Sequence, residues 1–270
     1  MRKVPELSLR QFTQGDAAAR AAFSEALSAG LREYGFIVLT DHNVPLDLLE
    51  RAYACAVAVF ARPEPEKRRY AGGLRGYTPF GTEHARDNPT PDLKEFWQIG
   101  HEADDGAPQS PFSAPNLWPD QPVDFRPVFQ ALFAELNETG CLLLEALAPT
   151  LSLPADYFEP LVRRGDSVLR VLHYPPIGAD ADPNAVRSAA HEDINLLTIL
   201  VAARGAGLEL LDRDGSWLPI RTEANALIVD SGDMMARLTN NVIPATTHRV
   251  VNSAESHLSR YSMPFFMHPT

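Results

Sequence analysis

Two cysteines in 270 residues are too few for a disulfide framework. Cys55 and Cys141 lie far apart in apolar, helix-like segments, so they are expected to be buried free thiols of a protein in a reducing compartment, the cytoplasm. Positive charge is also scarce. With 24 Lys and Arg against 35 Asp and Glu, the formal net charge is −11. That balance argues against nucleic acid or an anionic membrane as the main partner, since both call for a basic surface. A small-molecule substrate, even an anionic one, stays compatible, because a pocket needs only one or two arginines. Long apolar runs are missing as well. No stretch of about 18 apolar residues occurs, and the opening "MRKVPELSLR" lacks the apolar core of a secretion signal. The expectation is a soluble protein.

What is present is enough apolar residue, 45%, to bury a large core in one domain spanning 1–270. The first part, 1–167, reads as mostly helical. Asp16 can cap a helix whose Phe23, Leu27, Leu31 and Tyr34 recur on one face, and Gly35 ends it. "GFIVLT" (35–40) reads as a strand. Pro45 opens a second helix, and a longer one fits 127–148. Irregular stretches separate them at 71–91, with four glycines, and at 102–124, with five prolines. Loops of that length are often functional, which makes the first a candidate wall over a substrate, with Tyr77 and Phe80 as aromatic contacts. From about residue 168 short apolar runs alternate with turns such as "RDG" and "SGD". This texture predicts a β jelly roll over 168–268 with the helices packed on one side, an α+β chain that is mainly β with flanking helices.

Within that second half, "AAHEDINLLTIL" (189–200) sets His191 and Asp193 two positions apart. Residues two apart in a strand share a face, so both are expected to aim into the barrel mouth while Glu192 points away. One His-x-Asp in a chain with eight histidines is weak evidence by itself. A third ligand is available in His248 of "ATTHRVVN", which alternatively is a histidine bonded at a strand end. Two histidines and a carboxylate on one side of a metal leave open positions, the arrangement that suits non-haem Fe(II). In "RYSMPFF" (260–266), Arg260, Ser262, Pro264 and Phe266 alternate onto one face. Arg260 offers a planar fork for a carboxylate, Ser262 adds a hydroxyl, and Phe266 offers an apolar surface. A surface salt bridge is the other reading of Arg260.

Taken in order, "HYPP", "HED…LTIL", "LLDRDGSWLPI", "SGDMMARLTN", "THRVVN" and "RYSMPFF" resemble the isopenicillin N synthase-like family of Fe(II)- and 2-oxoglutarate-dependent oxygenases. "GFIVLTDHNVP", "GYTPFG" and "DLKEFW" are similar to its N-terminal portion, so the likeness covers nearly the whole chain. The resemblance implies a double-stranded β-helix, another name for the jelly roll, and a dioxygenase. Such an enzyme uses Fe(II), O₂ and 2-oxoglutarate, with ascorbate supportive in vitro, to oxidise and most simply hydroxylate a small organic molecule, releasing succinate and CO₂. It implies that His191, Asp193 and His248 bind the iron, that Arg260 and Ser262 hold the distal carboxylate of 2-oxoglutarate, and that Tyr174 helps. Beyond the iron ligands it implies no protein acid or base, and Gly232-Asp233 is expected to form a turn.

Two departures from the family pattern stand out. Where plant members often have Asn-Tyr-Tyr-Pro, this chain reads Leu172-His173-Tyr174-Pro175, so the contact made by that Asn is in doubt. The sequence ends at "FFMHPT", where relatives usually continue with a tail that helps close the pocket. Other readings are a same-family oxidase that does without 2-oxoglutarate, a jelly-roll metal isomerase or hydrolase, and a silent binding module on this fold. Succinate formation separates them.

Overall fold

The computed structural model describes residues 3–83, 90–102, 114–178, 186–204, 207–223, 225–252 and 256–270. The middle of each irregular stretch expected above, 84–89 and 103–113, lies outside them. The chain begins with β1 (Glu6–Ser8), α1 (Leu9–Thr13), α2 (Ala17–Tyr34), β2 (Phe36–Thr40), α3 (Leu46–Phe60) and α4 (Glu64–Lys67). It continues with β3 (Gly76–Thr78), β4 (Glu95–Gly100), α5 (Phe125–Leu147) and α6 (Glu159–Val162). Then come β5 (Val168–Tyr174), β6 (Ser188–His191), β7 (Leu197–Arg204), β8 (Leu208–Leu211), β9 (Trp217–Pro219) and β10 (Leu227–Ser231). The last elements are α7 (Asp233–Leu238), β11 (His248–Val250) and β12 (Arg260–Met267).

The local signals for the long helices act as read. Asp16 caps α2 by accepting the Ala19 N–H at 2.9 Å, and Gly35 closes it in the left-handed conformation, φ 66°. Pro45 precedes α3, and α5 begins two residues earlier than its periodicity indicates. Both cysteines are free thiols.

The strands form a larger sheet, β1-β2-β10-β7-β12-β5-β4-β3, and a smaller one, β6-β11-β8-β9. Together they make a jelly roll, with α2, α3 and α5 over the outer face of the larger sheet. The sheet reaches beyond the expected 168–268, because β2 pairs with β10 and β4 with β5. The cause lies in alternation. In "FIVLT", Ile37 and Leu39 face the helical core while Phe36 and Val38 face a second apolar cluster inside the roll. A strand buried on both faces has to sit inside a sheet, whichever half of the chain it comes from.

Candidate metal centre and pocket

β6 and β11 pair antiparallel in a register that sets His191 directly opposite His248. Their ring centroids are 4.5 Å apart. Each Nδ1 faces a carbonyl two residues back, Ala189 O at 2.7 Å for His191 and Thr246 O at 3.1 Å for His248. An Nδ1–H donated to a carbonyl fixes the tautomer and leaves the Nε2 lone pair for a metal. Both Nε2 atoms approach one oxygen, Asp193 Oδ1, at 3.7 and 3.9 Å. The three candidate ligand atoms all lie within 4.8 Å of one another. The N-terminal half contributes here too. Thr246 Oγ1 donates to Tyr34 O at the end of α2, at 3.0 Å. The Phe36 ring stands edge-on to His248 with centroids 5.6 Å apart.

Asp193 reaches the site differently from the strand alternation expected for it. β6 stops at His191, and Asp193 lies in the connection to β7. Hydrogen bonds place it instead. Thr198 Oγ1 donates to Asp193 Oδ2. The Asn195 amide donates to Thr198 Oγ1 at 2.9 Å and to Leu197 O at 2.8 Å. The Asp233 N–H donates to Asp193 O at 2.8 Å. Gly232 lets this connection come close, since a Cβ there would stand 2.4 Å from Asn195 O and 2.7 Å from Asp193 O. The expected Gly232-Asp233 turn is therefore the start of α7, with Gly232 as its N-cap. Glu192 does point away, exposed and accepting from Thr247 Oγ1 at 2.9 Å.

The surroundings tune these groups. Burial, then the neighbouring His248, lowers the His191 pKa, which favours the neutral ligand form. Asp230 is fully buried on β10 beside Asp193. Burial first, and then the Asp193 charge, hold its carboxyl well above the usual range.

A pocket with about 590 Å³ of space, its open mouth included, lies between the sheets and contains the three candidate ligands. Arg260, Ser262, Pro264 and Phe266 all line it, as their alternation requires, and so does Tyr174, which pairs with Arg260 across β5 and β12. The Arg260 side chain is almost entirely enclosed at 2% exposure. Among the described residues its Nε and Nη1 have no hydrogen-bond partner. Its guanidinium lies over the Tyr174 ring at 5.0 Å. Burial lowers its pKa, with Tyr174 opposing. A buried cation with two unused donors in the wall of a cavity fits a bound carboxylate.

Two residues expected near substrate lie elsewhere. Tyr77 sits on β3 in the helical core, packed on Trp97 and donating to Glu95. Phe80 is 45% exposed and forms no part of the pocket wall. Conversely, Arg170, Lys94 and Thr198 line the pocket without having been singled out. A signal for Arg170 was available, because in "VLRVLHY" it falls on the same strand face as Tyr174.

Behind the roll, Glu95 of β4 accepts from Lys67 Nζ at 2.7 Å, from Tyr77, and from His173 Nδ1 at 2.7 Å. His173 Nε2 lies 3.1 Å from Ser259 Oγ, next to Arg260. This charge-assisted network ties β3, β4, β5 and the start of β12 together.

Comparison with known proteins agrees with this geometry. Residues 165–269 match the model of the 2OG-Fe(II) oxygenase superfamily, and residues 4–121 match that described as non-haem dioxygenase in morphine synthesis N-terminal. The 2-oxoglutarate-Fe(II) type oxidoreductase hxnY of Emericella nidulans is 32% identical over 97% of this chain and 78% of its own length. The structure of a 2OG-Fe(II) oxygenase family protein from Caulobacter crescentus is 42% identical, with a TM-score of 0.87 over 98% of this chain and 86% of that one. A full-length Neurospora crassa protein, solved in complex with alpha-KG and thymine, is 27% identical, with a TM-score of 0.89 over 99% of this chain and 86% of its own. With two family models spanning both halves and relatives matched along nearly its whole length, the chain belongs to the 2-oxoglutarate- and Fe(II)-dependent oxygenases.

Proposed function

We propose that His191, Asp193 and His248 hold the Fe(II) of this dioxygenase and that Arg260, Ser262 and Tyr174 hold 2-oxoglutarate by its distal carboxylate. When bound, iron and 2-oxoglutarate supply the oxidising chemistry, in which O₂ oxidises the substrate as 2-oxoglutarate is converted to succinate and CO₂. The protein's part is to bind, orient and exclude water. The two carbonyl-anchored imidazoles present Nε2 toward one point, and Thr198 fixes the Asp193 carboxylate beside them. Arg260 supplies a guanidinium that needs an anion, Ser262 a hydroxyl on the same face, and Tyr174 a ring under the fork. The observation carrying this reading is the buried Arg260, whose Nε and Nη1 lack partners among the described residues, in one pocket with the three clustered ligands.

The substrate is read as a small organic molecule whose oxidation is a hydroxylation, with Phe266 against it. Neither nucleic acid nor a membrane enters this reading, and no described helix is long and apolar enough to cross a membrane. The two free thiols support the cytoplasm as its compartment. The domain reading is one oxygenase unit over 1–270, supported by N-terminal strands completing the larger sheet.

The test is succinate release across a panel of small molecules with Fe(II), ascorbate, O₂ and 2-oxoglutarate. Substrate-dependent succinate is expected from the wild type. Asp193→Ala, which removes the one anionic ligand, should release none. Wild-type turnover in that variant would remove Asp193 from the iron site.

A further inference from the structure

The pocket contains two guanidinium groups, and one co-substrate carboxylate does not account for both. Arg170 and Arg260 project from neighbouring strands of the same sheet face. The β5–β12 register sets Tyr174 opposite Arg260 and Leu169 opposite Phe265, which puts Arg170 level with Pro264, four positions from Arg260. At the rise of a strand the two backbone positions are roughly 13 Å apart, and the guanidinium groups do not converge, since Arg260 lies over Tyr174 and Arg170 beside Phe266 on the far side. The metal ligands mark which end is which. Thr198, which holds Asp193, pairs with Phe266 on β12 and with Asp230 on β10. Arg260 therefore occupies the end away from the ligands, and Arg170 lies nearer their level, with its guanidinium beside Phe266.

Arg170 is built into position. Its Nε donates to Gln98 Oε1 at 2.7 Å, and its Nη1 lies 3.1 Å from Glu83 Oε1. Its guanidinium carbon lies 4.5 Å from the Phe96 ring centroid and 5.4 Å from that of Phe266. Gln98 and Glu83 form no part of the pocket wall, whereas Arg170 and Phe266 do. The fork is thus gripped from behind, and Nη2 is engaged by neither partner. The other pocket-wall cation, Lys94, is already shared between Asp92 Oδ2 and Glu83 Oε2, both at 2.9 Å. Two cations and two carboxylates cancel, so a ligand here need not carry charge, but it must offer Arg170 an acceptor. A rigid planar donor prefers an sp² oxygen lying in its plane, and the adjoining Phe266 ring prefers a flat apolar face.

Resting on the iron and 2-oxoglutarate assignment above, we propose that Arg170 is the substrate-reading residue. The substrate is then a small flat molecule that presents a carbonyl or carboxylate oxygen to Arg170 and its face to Phe266.

The experiment is equilibrium binding of two probes, thymine (ring carbonyls) and benzoate (a planar carboxylate), to anaerobic enzyme loaded with Fe(II) and 2-oxoglutarate. At least one should bind the wild type, and which one does sets carbonyl against carboxylate. Losing a charge-assisted hydrogen bond should weaken that probe about 10- to 100-fold in Arg170→Ala. Arg170→Lys should recover only part, because an ammonium lacks the planar fork. The affinity for 2-oxoglutarate should be unchanged in both variants, which also shows that they are folded. Equal probe affinity in wild type and Arg170→Ala, or no binding of either probe to the wild type, overturns the proposal. A loss of 2-oxoglutarate affinity in Arg170→Ala also overturns it, by assigning the residue to the co-substrate. A wild type that binds no 2-oxoglutarate overturns the underlying assignment and this proposal with it. The contrary probe results with 2-oxoglutarate still bound overturn this proposal alone.

Discussion

Arg260 is the side chain on which the co-substrate assignment turns, because burial makes its demand for a partner large. In bulk water a guanidinium gains little from one more carboxylate. Enclosed to 2% exposure, with Nε and Nη1 unpartnered among the described residues, it gains far more. Truncating one member of a buried charge pair costs about 2 to 5 kcal/mol, or roughly 30- to several-thousand-fold in affinity. Arg260→Ala should weaken 2-oxoglutarate by that factor in a calorimetric titration, and Arg260→Lys should restore part of it. Fe(II) affinity should be nearly unchanged, since Arg260 lies away from the candidate ligands. Equal 2-oxoglutarate affinities in all three proteins would remove Arg260 from the site. This residue was legible in the sequence because a strand's period of two places Arg260, Ser262 and Phe266 on one face, and they do line one pocket. Asp193 shares the site with His191 for another reason. The hydrogen-bonded connection around Thr198 and Asn195 places it, and no period in the sequence encodes that.

Elements carry the site's precision. The β6–β11 register puts His191 opposite His248, and the N-terminus of α7 presses on the connection that carries Asp193. A Cβ at position 232 would meet backbone oxygens rather than a yielding side chain. Gly232→Ala should therefore cost about 1 to 3 kcal/mol of stability and weaken Fe(II) binding measurably. Urea unfolding and metal titration check the two effects, and unchanged values in both would show that the close approach does not matter. The Glu95 network gives a pH dependence. Burial alone would raise the Glu95 pKa, but hydrogen bonds from His173, Lys67 and Tyr77 hold it below the usual carboxylate range. A depressed carboxylate pKa contributes stability that is present above the unfolded-state value and lost as pH falls through the folded one. Glu95→Gln should thus be less stable than wild type near neutral pH, by about 3 kcal/mol as for a broken buried pair. The gap should close as pH falls below the usual carboxylate range. A gap independent of pH in urea unfolding would mean that the Glu95 charge plays no part. Tyr77 shows why such networks escape a sequence reading. Its ring looked like an aromatic on a glycine-rich loop, whereas β3 pairing with β4 turns it inward to Glu95.

Across the whole molecule, the two halves of the chain complete each other. Helix and strand types were readable from periodicity and caps, as Asp16, Gly35 and the α5 repeat show. The partnership of β2 with β10 and of β4 with β5 was not, because a buried apolar strand does not specify its neighbours. That partnership brings Phe36 against His248 and Lys94 into the pocket. The proposed iron ligands sit at one level of this roll and the proposed co-substrate anchor at the other, which makes the central claim directly measurable. Anaerobic protein is given Fe(II) and then titrated with 2-oxoglutarate while the visible charge-transfer band of the chelate is recorded. The expected result is a saturable band in wild type, no band in Asp193→Ala, and a band in Arg260→Ala only at much higher 2-oxoglutarate. A band in Asp193→Ala equal to that of the wild type, or none in the wild type, would contradict the account.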